Sequence, residues 1–174
     1  MMIAAIDVYY PGDMPARAGV VVFSAFCDTT AHRTYTCNIP RVEEYIPGRF
    51  YLRELPCIMA VLGLIEEQVD TLIIDGYVDL GDRPGLGRHL WKALDGKIRI
   101  MGVAKTHYRG VNAVEVFRGK SRQPLYVTAA GIDPAVAAEL ITHMHGAGRI
   151  PALIRQADAL SRRVRFPARE TERQ

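Results

Sequence analysis

No run in this chain approaches the roughly 18 consecutive apolar residues that a membrane-spanning helix needs. Yet 49% of its 174 residues are hydrophobic. The apolar residues are spread through short blocks, which suits one domain with a core of its own. Glycine and proline are not in excess, so bulk disorder is not expected. Cysteine is scarce. Cys27, Cys37 and Cys57 make an odd number with no C-x-x-C spacing, which argues against a disulfide framework or a zinc site and leaves buried free thiols as the expectation. Met1-Met2-Ile3 carries no basic leader, and Asp7 interrupts the first apolar run. A secretion signal is therefore not expected, and the cytoplasm is the expected compartment. A strong excess of one charge is also missing. A net charge of +3 does not by itself point to nucleic acid. Its distribution says more: Arg162, Arg163, Arg165 and Arg169 crowd the C-terminal end, where they form either a phosphate-binding patch or a solvated tail. The chain divides on this basis into a domain over residues 1–161 and a basic tail over 162–174.

What is present is a change of rhythm along the chain. Three strands are expected in the N-terminal third: the apolar run Met2–Val8, the Val- and Phe-rich run Gly19–Phe26, and the alternating stretch His32–Asn38. Pro11-Gly12-Asp13 and Cys27-Asp28-Thr29-Thr30 supply turns between them, so an antiparallel meander is predicted. The period then becomes helical. Pro56 suits the first turn of a helix, and Ile58, Met59, Leu62 and Ile65 follow at helical spacing. Val69–Ile74 is a continuous apolar strand of the kind buried on both faces. A short helix over Leu90–Leu94, opened near Pro84–Leu86, precedes strands at Lys97–Ala104, Ala113–Phe117 and Leu125–Thr128. Asp133 followed by Pro134 predicts a capped helix start, with Val136, Leu140, Ile141 and Met144 as its apolar stripe and Gly146 at its end. Ile150–Leu160 is predicted as the last helix. Strands followed by alternating helices and strands describe a mixed sheet with helices on both faces.

Three acids stand at edges of these apolar elements. Asp7 ends MMIAAI, Asp75 ends TLII, and Glu54 lies just before the first helical stretch. Carboxylates brought together at strand ends would hold a hard cation such as magnesium or manganese, which takes oxygen ligands and serves phosphodiester hydrolysis. Acids at strand ends are also ordinary polar exits from buried strands. Spacing alone leaves both readings open. Asp70 is five residues before Asp75, so a regular strand puts it on the other face, as a strand-start support rather than a ligand.

The segment Tyr45-Ile46-Pro47-Gly48-Arg49-Phe50-Tyr51-Leu52-Arg53-Glu54 resembles the YIPG…F-RE signature of the endonuclease V family, the deoxyinosine-directed repair nucleases. Neighbouring pieces follow in the family's order: Asp7-Val8-Tyr9, then Asp70 through Gly76 (DTLIIDG), then Gly102-Val103-Ala104-Lys105, and finally the stretch from Tyr126 to Leu160 with its R-I-P…A-D-A run. The resemblance covers most of the chain. It implies a ribonuclease H-like fold, a mixed sheet with flanking helices whose carboxylates gather at one end of adjacent central strands. It implies that Asp7, Glu54 and Asp75 form a centre for Mg2+ or Mn2+, and that Lys105 engages the scissile phosphate. Tyr45 takes the position of the family's wedge aromatic, with Pro47 and Gly48 as its rigid turn. Arg53, Arg83 and His89 complete the residues expected on DNA or RNA. No membrane is implied, and a protein partner stays unknown.

The chain departs from the family pattern in places. Glu44 stands where a proline usually precedes the wedge tyrosine. After Asp75-Gly76 the familiar G-x-x-HPR-x-G-x-A-S-H becomes YVDLGDRPGLGRH. Arg83 and His89 keep parts of it, Asp79 and Asp82 are new there, and the HPR histidine is missing. A second family histidine is replaced within Ala129-Ala130-Gly131-Ile132, and neither His143 nor His145 is in register. The family's leading helix has no counterpart before Asp7. His107 is a lone loop histidine, either a proton carrier or polar surface. Two functions from different classes follow: a metal-dependent endonuclease acting near deoxyinosine or another altered base, and a catalytically inactive nucleic-acid-binding or assembly protein built on the same fold. Three retained acids favour the enzyme, since unpaired clustered carboxylates are costly without an ion.

Overall fold

The structure, a computed structural model, describes residues 2–12, 15–43, 46 and 48–163. The predicted meander is present. Strands β1 (Met2–Tyr9), β2 (Ala16–Phe23) and β3 (Arg33–Ile39) pair antiparallel in sequence order. β4 (Val69–Asp75) then lies parallel to β1, and β7 (Arg99–Ala104) lies parallel to β4. β9 (Leu125–Ala130) returns antiparallel to β7, and β8 (Val114–Val116) closes the far edge. The seven-stranded order is β3-β2-β1-β4-β7-β9-β8, the mixed sheet of a ribonuclease H-like fold. A separate two-stranded ribbon, β5 (Asp79–Leu80) with β6 (Arg83–Pro84), was not foreseen. Its strands are too short for a period to register.

Alternation along the central strands sends residues to opposite layers. Ile3 and Ala5 of β1, Ile73 of β4 and Val103 of β7 pack with Ala137 and Ile141 of α3 (Pro134–His143) and with Leu153 and Ala157 of α4 (Ala152–Arg162). Ala4, Ile6, Leu72, Ile74 and Ile100 pack the other way, against Ile58 and Val61 of α1 (Phe50–Leu62) and Leu90 of α2 (Leu86–Ala93). Burying both faces makes β4 the continuous apolar run that its sequence shows.

Several boundaries differ from expectation. Helix α1 begins at Phe50, so Pro56 lies inside it rather than in its first turn, and Glu54 is a helical residue rather than one that precedes the helix. The missing donor of Pro56 falls on an exposed position, where water can satisfy the freed carbonyl. Strand β2 ends at Phe23, and Phe26 instead sits in the following turn with its ring edge-on to Phe23 at 6.5 Å. Asp133 caps α3 as predicted, accepting from the backbone N–H groups of Ala135 and Val136. Only Cys57 is a buried thiol; Cys27 is exposed and Cys37 half-buried. Among the described residues no helix is long and apolar enough to cross a membrane.

One close approach sets the position of α4. Gly19 of β2 stands opposite Asp7 in the β1–β2 ladder. A Cβ on it would lie 2.7 Å from the backbone nitrogen of Ser161 and 2.8 Å from the carbonyl oxygen of Ala157. Helix α4 therefore rests directly on the β2 backbone, which cannot give way. Gly19→Ala is expected to cost about 1–3 kcal/mol, read as a lower midpoint of urea unfolding. Gly63→Ala, whose new carbon would meet nothing nearer than 3.6 Å, is the control and should leave the midpoint almost unmoved.

Candidate active site

The register of the parallel strands gathers the site. Ile6 pairs with Ile74 and Asp75 with Val103, so Asp7, Asp75 and Lys105 follow one another across the same end of β1, β4 and β7. Asp7 continues the series Ile3, Ala5; Asp75 continues Ile73; Lys105 continues Val103. By the alternation of strands all three face the α3–α4 layer. There they line a cavity of about 50 Å3 with Ile154, Arg155 and Asp158 of α4. That is room for a water molecule or a small ion. Lys105 Nζ donates to Asp75 Oδ2 at 2.6 Å, and Ser161 Oγ donates to Asp7 Oδ2.

Glu54 arrives from the opposite layer. It is 7% exposed on α1 and lines a second cavity of about 310 Å3 with Gly48, Phe50, Tyr51, Tyr77, Leu80, Pro84 and Tyr108. This volume is at the lower end of small-molecule sites. Asp75 belongs to both cavities and joins them around the end of β4.

The acids feel one another across that joint. Burial pushes the Glu54 carboxyl up to about 8, and the charges of Asp75 and Asp7 push in the same direction, while Arg53 opposes them. Burial also raises Asp7; Ser161 pulls it down, Asp158 and Asp75 push it up, and Lys105 pulls it down. For Lys105, burial works against the charge, but the hydrogen bond and charge of Asp75, with Asp7 and Asp158 beyond, hold the ammonium above the ordinary lysine value. Glu54 Oε2 is buried and finds no hydrogen-bond partner among the described residues. An orphaned carboxylate oxygen beside two further acids is a place where counter-charge is wanted, and oxygen donors suit a hard cation. As the side chains are arranged, however, no group of three His, Cys, Asp or Glu among the described residues could hold a metal ion. Asp75 is turned to Lys105, and Asp7 to Ser161.

The other predicted residues are more scattered. Gly48 lines the larger cavity at φ +77°, a left-handed conformation that glycine adopts readily. Arg53 lies over the Tyr10 ring at 4.0 Å. His89 is stacked flat on Tyr51, with ring centroids 3.6 Å apart. Arg83 is exposed on β6. Tyr45 and Pro47 lie outside the described residues, as do Glu44, Arg165 and Arg169. Asp70 is at the far end of β4, accepting from Arg99 Nη2 at 2.9 Å and Thr71 Oγ1 at 2.8 Å, a support as expected. Asp79 forms a two-point pair with Arg88 at 3.0 and 2.6 Å. His107 is exposed, edge-on to Tyr126 at 5.2 Å. Sequence reasoning passed over Asp158 and Ser161. The signal for the first lay in the A-D-A run; the second is one helical turn further on, on the same face of α4.

Because the Glu54 value lies above the ordinary 4.5, its protonated form contributes stability that is complete below pH 4.5 and is lost as pH rises through about 8. Asp7 adds to the same trend. Metal-free protein should therefore lose on the order of a few kcal/mol between pH about 5 and about 8.5. Glu54→Gln, neutral throughout, should flatten most of that slope in paired urea titrations.

Comparison with known proteins shows the family and agrees with the fold. The model of the endonuclease V family matches residues 1–159. An endonuclease V of Rhodospirillum centenum is 31% identical over 136 residues, which are 65% of this chain and 56% of that relative. The chain thus spans little more than half that relative's length. The crystal structure of the Streptomyces avermitilis endonuclease V superposes with a TM-score of 0.77 at 23% identity, covering 93% of this chain and 80% of the other. The Ciona intestinalis endonuclease V, in complex with a 24mer DNA containing an inosine followed by a ribo-adenosine, superposes with a TM-score of 0.78 at 20% identity, covering 92% and 84%.

Proposed function

The chain belongs to the endonuclease V family, and on that footing we propose that it is a divalent-metal-dependent endonuclease that cuts nucleic acid near an altered base, with deoxyinosine the first candidate. The observation that carries the reading is the pair of cavities joined at Asp75, one small and acidic with a lysine beside it, the other larger and walled by aromatic rings. A phosphate placed at the first puts a displaced base within reach of the second.

Asp7, Glu54 and Asp75, with Asp158 beside them, would hold Mg2+ or Mn2+. When bound, such an ion activates water and offsets the negative charge that builds on phosphorus. The chain's own groups do the rest. Glu54, whose carboxyl is pushed up to about 8 without an ion, would be a carboxylate ligand to such an ion only in its ionised form. Lys105, relieved of Asp75, meets a non-bridging phosphate oxygen as a point charge. Ser161 keeps Asp7 oriented by donating to Oδ2. Tyr51, Tyr77 and Tyr108 offer ring faces to a base withdrawn from its stack, and Leu80, Pro84 and Leu86 exclude water from it. The Ciona relative's bound inosine-containing DNA supports inosine as the first strand to try. A non-catalytic nucleic-acid binder is the second reading, favoured by the Lys105–Asp75 pair, which already neutralises one acid.

The deciding assay compares matched inosine-containing and unmodified strands of DNA and RNA. Cleavage should favour inosine, stop on chelation, return with Mg2+ or Mn2+, and fall by more than about a hundredfold in Asp7→Asn. Calorimetry at pH 7 in two buffers of different ionisation enthalpy should show metal binding with proton release, diminished in Glu54→Gln. Nucleic-acid binding that ignores the metal, with no cleavage of any strand, would establish the binder instead.

A further inference from the structure

Tyr77 does more than wall the larger cavity. Its backbone is anchored: its carbonyl accepts from the N–H of Gly87 at 3.1 Å, and the N–H of the next residue, Val78, donates to Thr128 Oγ1 at 2.9 Å. The Val78 carbonyl in turn accepts from the N–H groups of Gly85 and Arg88, both at 2.9 Å. From this fixed base the Tyr77 hydroxyl reaches across to the segment that follows β7. It donates to the Thr106 carbonyl at 2.7 Å and accepts from the Tyr108 N–H at 3.0 Å. Its ring meets that of Tyr108 at a tilt, with centroids 6.2 Å apart. From the other side the Arg149 guanidinium donates to the Lys105 carbonyl and, at 2.6 Å, to that of Pro124. Lys105 is thus gripped at its own carbonyl by Arg149 and at the next by Tyr77. Tyr77 lies in the stretch after Asp75-Gly76, where this chain departs from its family's pattern.

We propose that Tyr77 is a positioning residue, whose hydroxyl ties the segment 105–108 to the end of β4 and so sets both the placement of Lys105 against Asp75 and that of Tyr108 as cavity wall. A phenol used as donor and acceptor at once is fully satisfied by this pair of backbone groups. A phenylalanine would keep the ring and lose both bonds. The catalytic half of the proposal rests on the nuclease reading of the site; the tie itself does not.

The test uses the full chain with Tyr77→Phe and Tyr77→Leu. Amide hydrogen exchange of the segment 105–111 and acylation of Lys105 by N-hydroxysuccinimidyl acetate report the tie without any substrate. Steady-state cleavage of an inosine-containing strand reports its consequence. In Y77F, exchange at Tyr108 should quicken by about tenfold or more and Lys105 should acylate severalfold faster, with the unfolding midpoint unchanged. The kcat should fall by about ten- to a hundredfold with KM almost constant, as misplacement of a catalytic group would cause. Y77L should match Y77F in exchange and acylation, which report the hydroxyl alone, and should lose further in cleavage because the ring that walls the cavity goes too. Wild-type exchange and acylation in Y77F would overturn the tie. A defect confined to Y77L would assign the effect to the ring instead and overturn the role of the hydroxyl. Faster acylation with unchanged kcat would overturn the positioning role. If no strand is cleaved even by the parent protein, the nuclease reading fails, and exchange with acylation alone judge the tie.

Discussion

The parallel pairing of β1 with β4 and of β4 with β7 is the constraint on which the site depends. Asp7 within β1, Asp75 at the end of β4 and Lys105 just past β7 come to one level of the sheet, and the register decides whether they share a face. A shift of one residue would send Asp7 or Asp75 toward the α1–α2 layer and bury a carboxylate among apolar side chains. The apolar alternation upstream, with Ile3 and Ala5 facing one way and Ala4 and Ile6 the other, is what opposes such a slip. The core therefore aims the acids.

That arrangement creates a charge problem, and the metal-free protein answers it locally. Asp75 takes the ammonium of Lys105, Asp7 takes the hydroxyl of Ser161, and Glu54 holds a proton around neutrality. Each answer is reversible, since a cation can replace a lysine, and a proton can leave as one approaches. The same groups that steady the protein without an ion are those that would yield to it.

Much of this was legible in the sequence, for physical reasons. Continuous or alternating apolar runs announced β1 to β4, and Asp133-Pro134 announced α3. The acids at strand ends were visible because polarity breaks those runs abruptly. Glu54 was harder: Pro56 suggested a helix start, so the acid was placed before the helix rather than within it. The ribbon β5–β6 carries too few residues for any period to emerge. Ser161 shows nothing locally to mark it as a site residue, and Asp158 shows only the A-D-A run around it; the rest of α4 on Gly19 brings both to Asp7. Nor could pairing within the site be read from spacing, because the Lys105–Asp75 contact joins residues on separate strands.

Asp75 fronts both cavities, and this has a consequence for how such a protein can change over generations. In the proposed reaction, preference for a base and speed of cutting are not independent traits. A substitution that reshapes the aromatic chamber also disturbs the carboxylate shared with the acidic notch, and one that retunes the notch alters a wall of the chamber. Drift toward a new substrate would pass through variants impaired in turnover, unless a second change restored the common acid. The stretch around Tyr77, which touches the chamber and braces Lys105 from outside the acids, is where such compensation has room to arise.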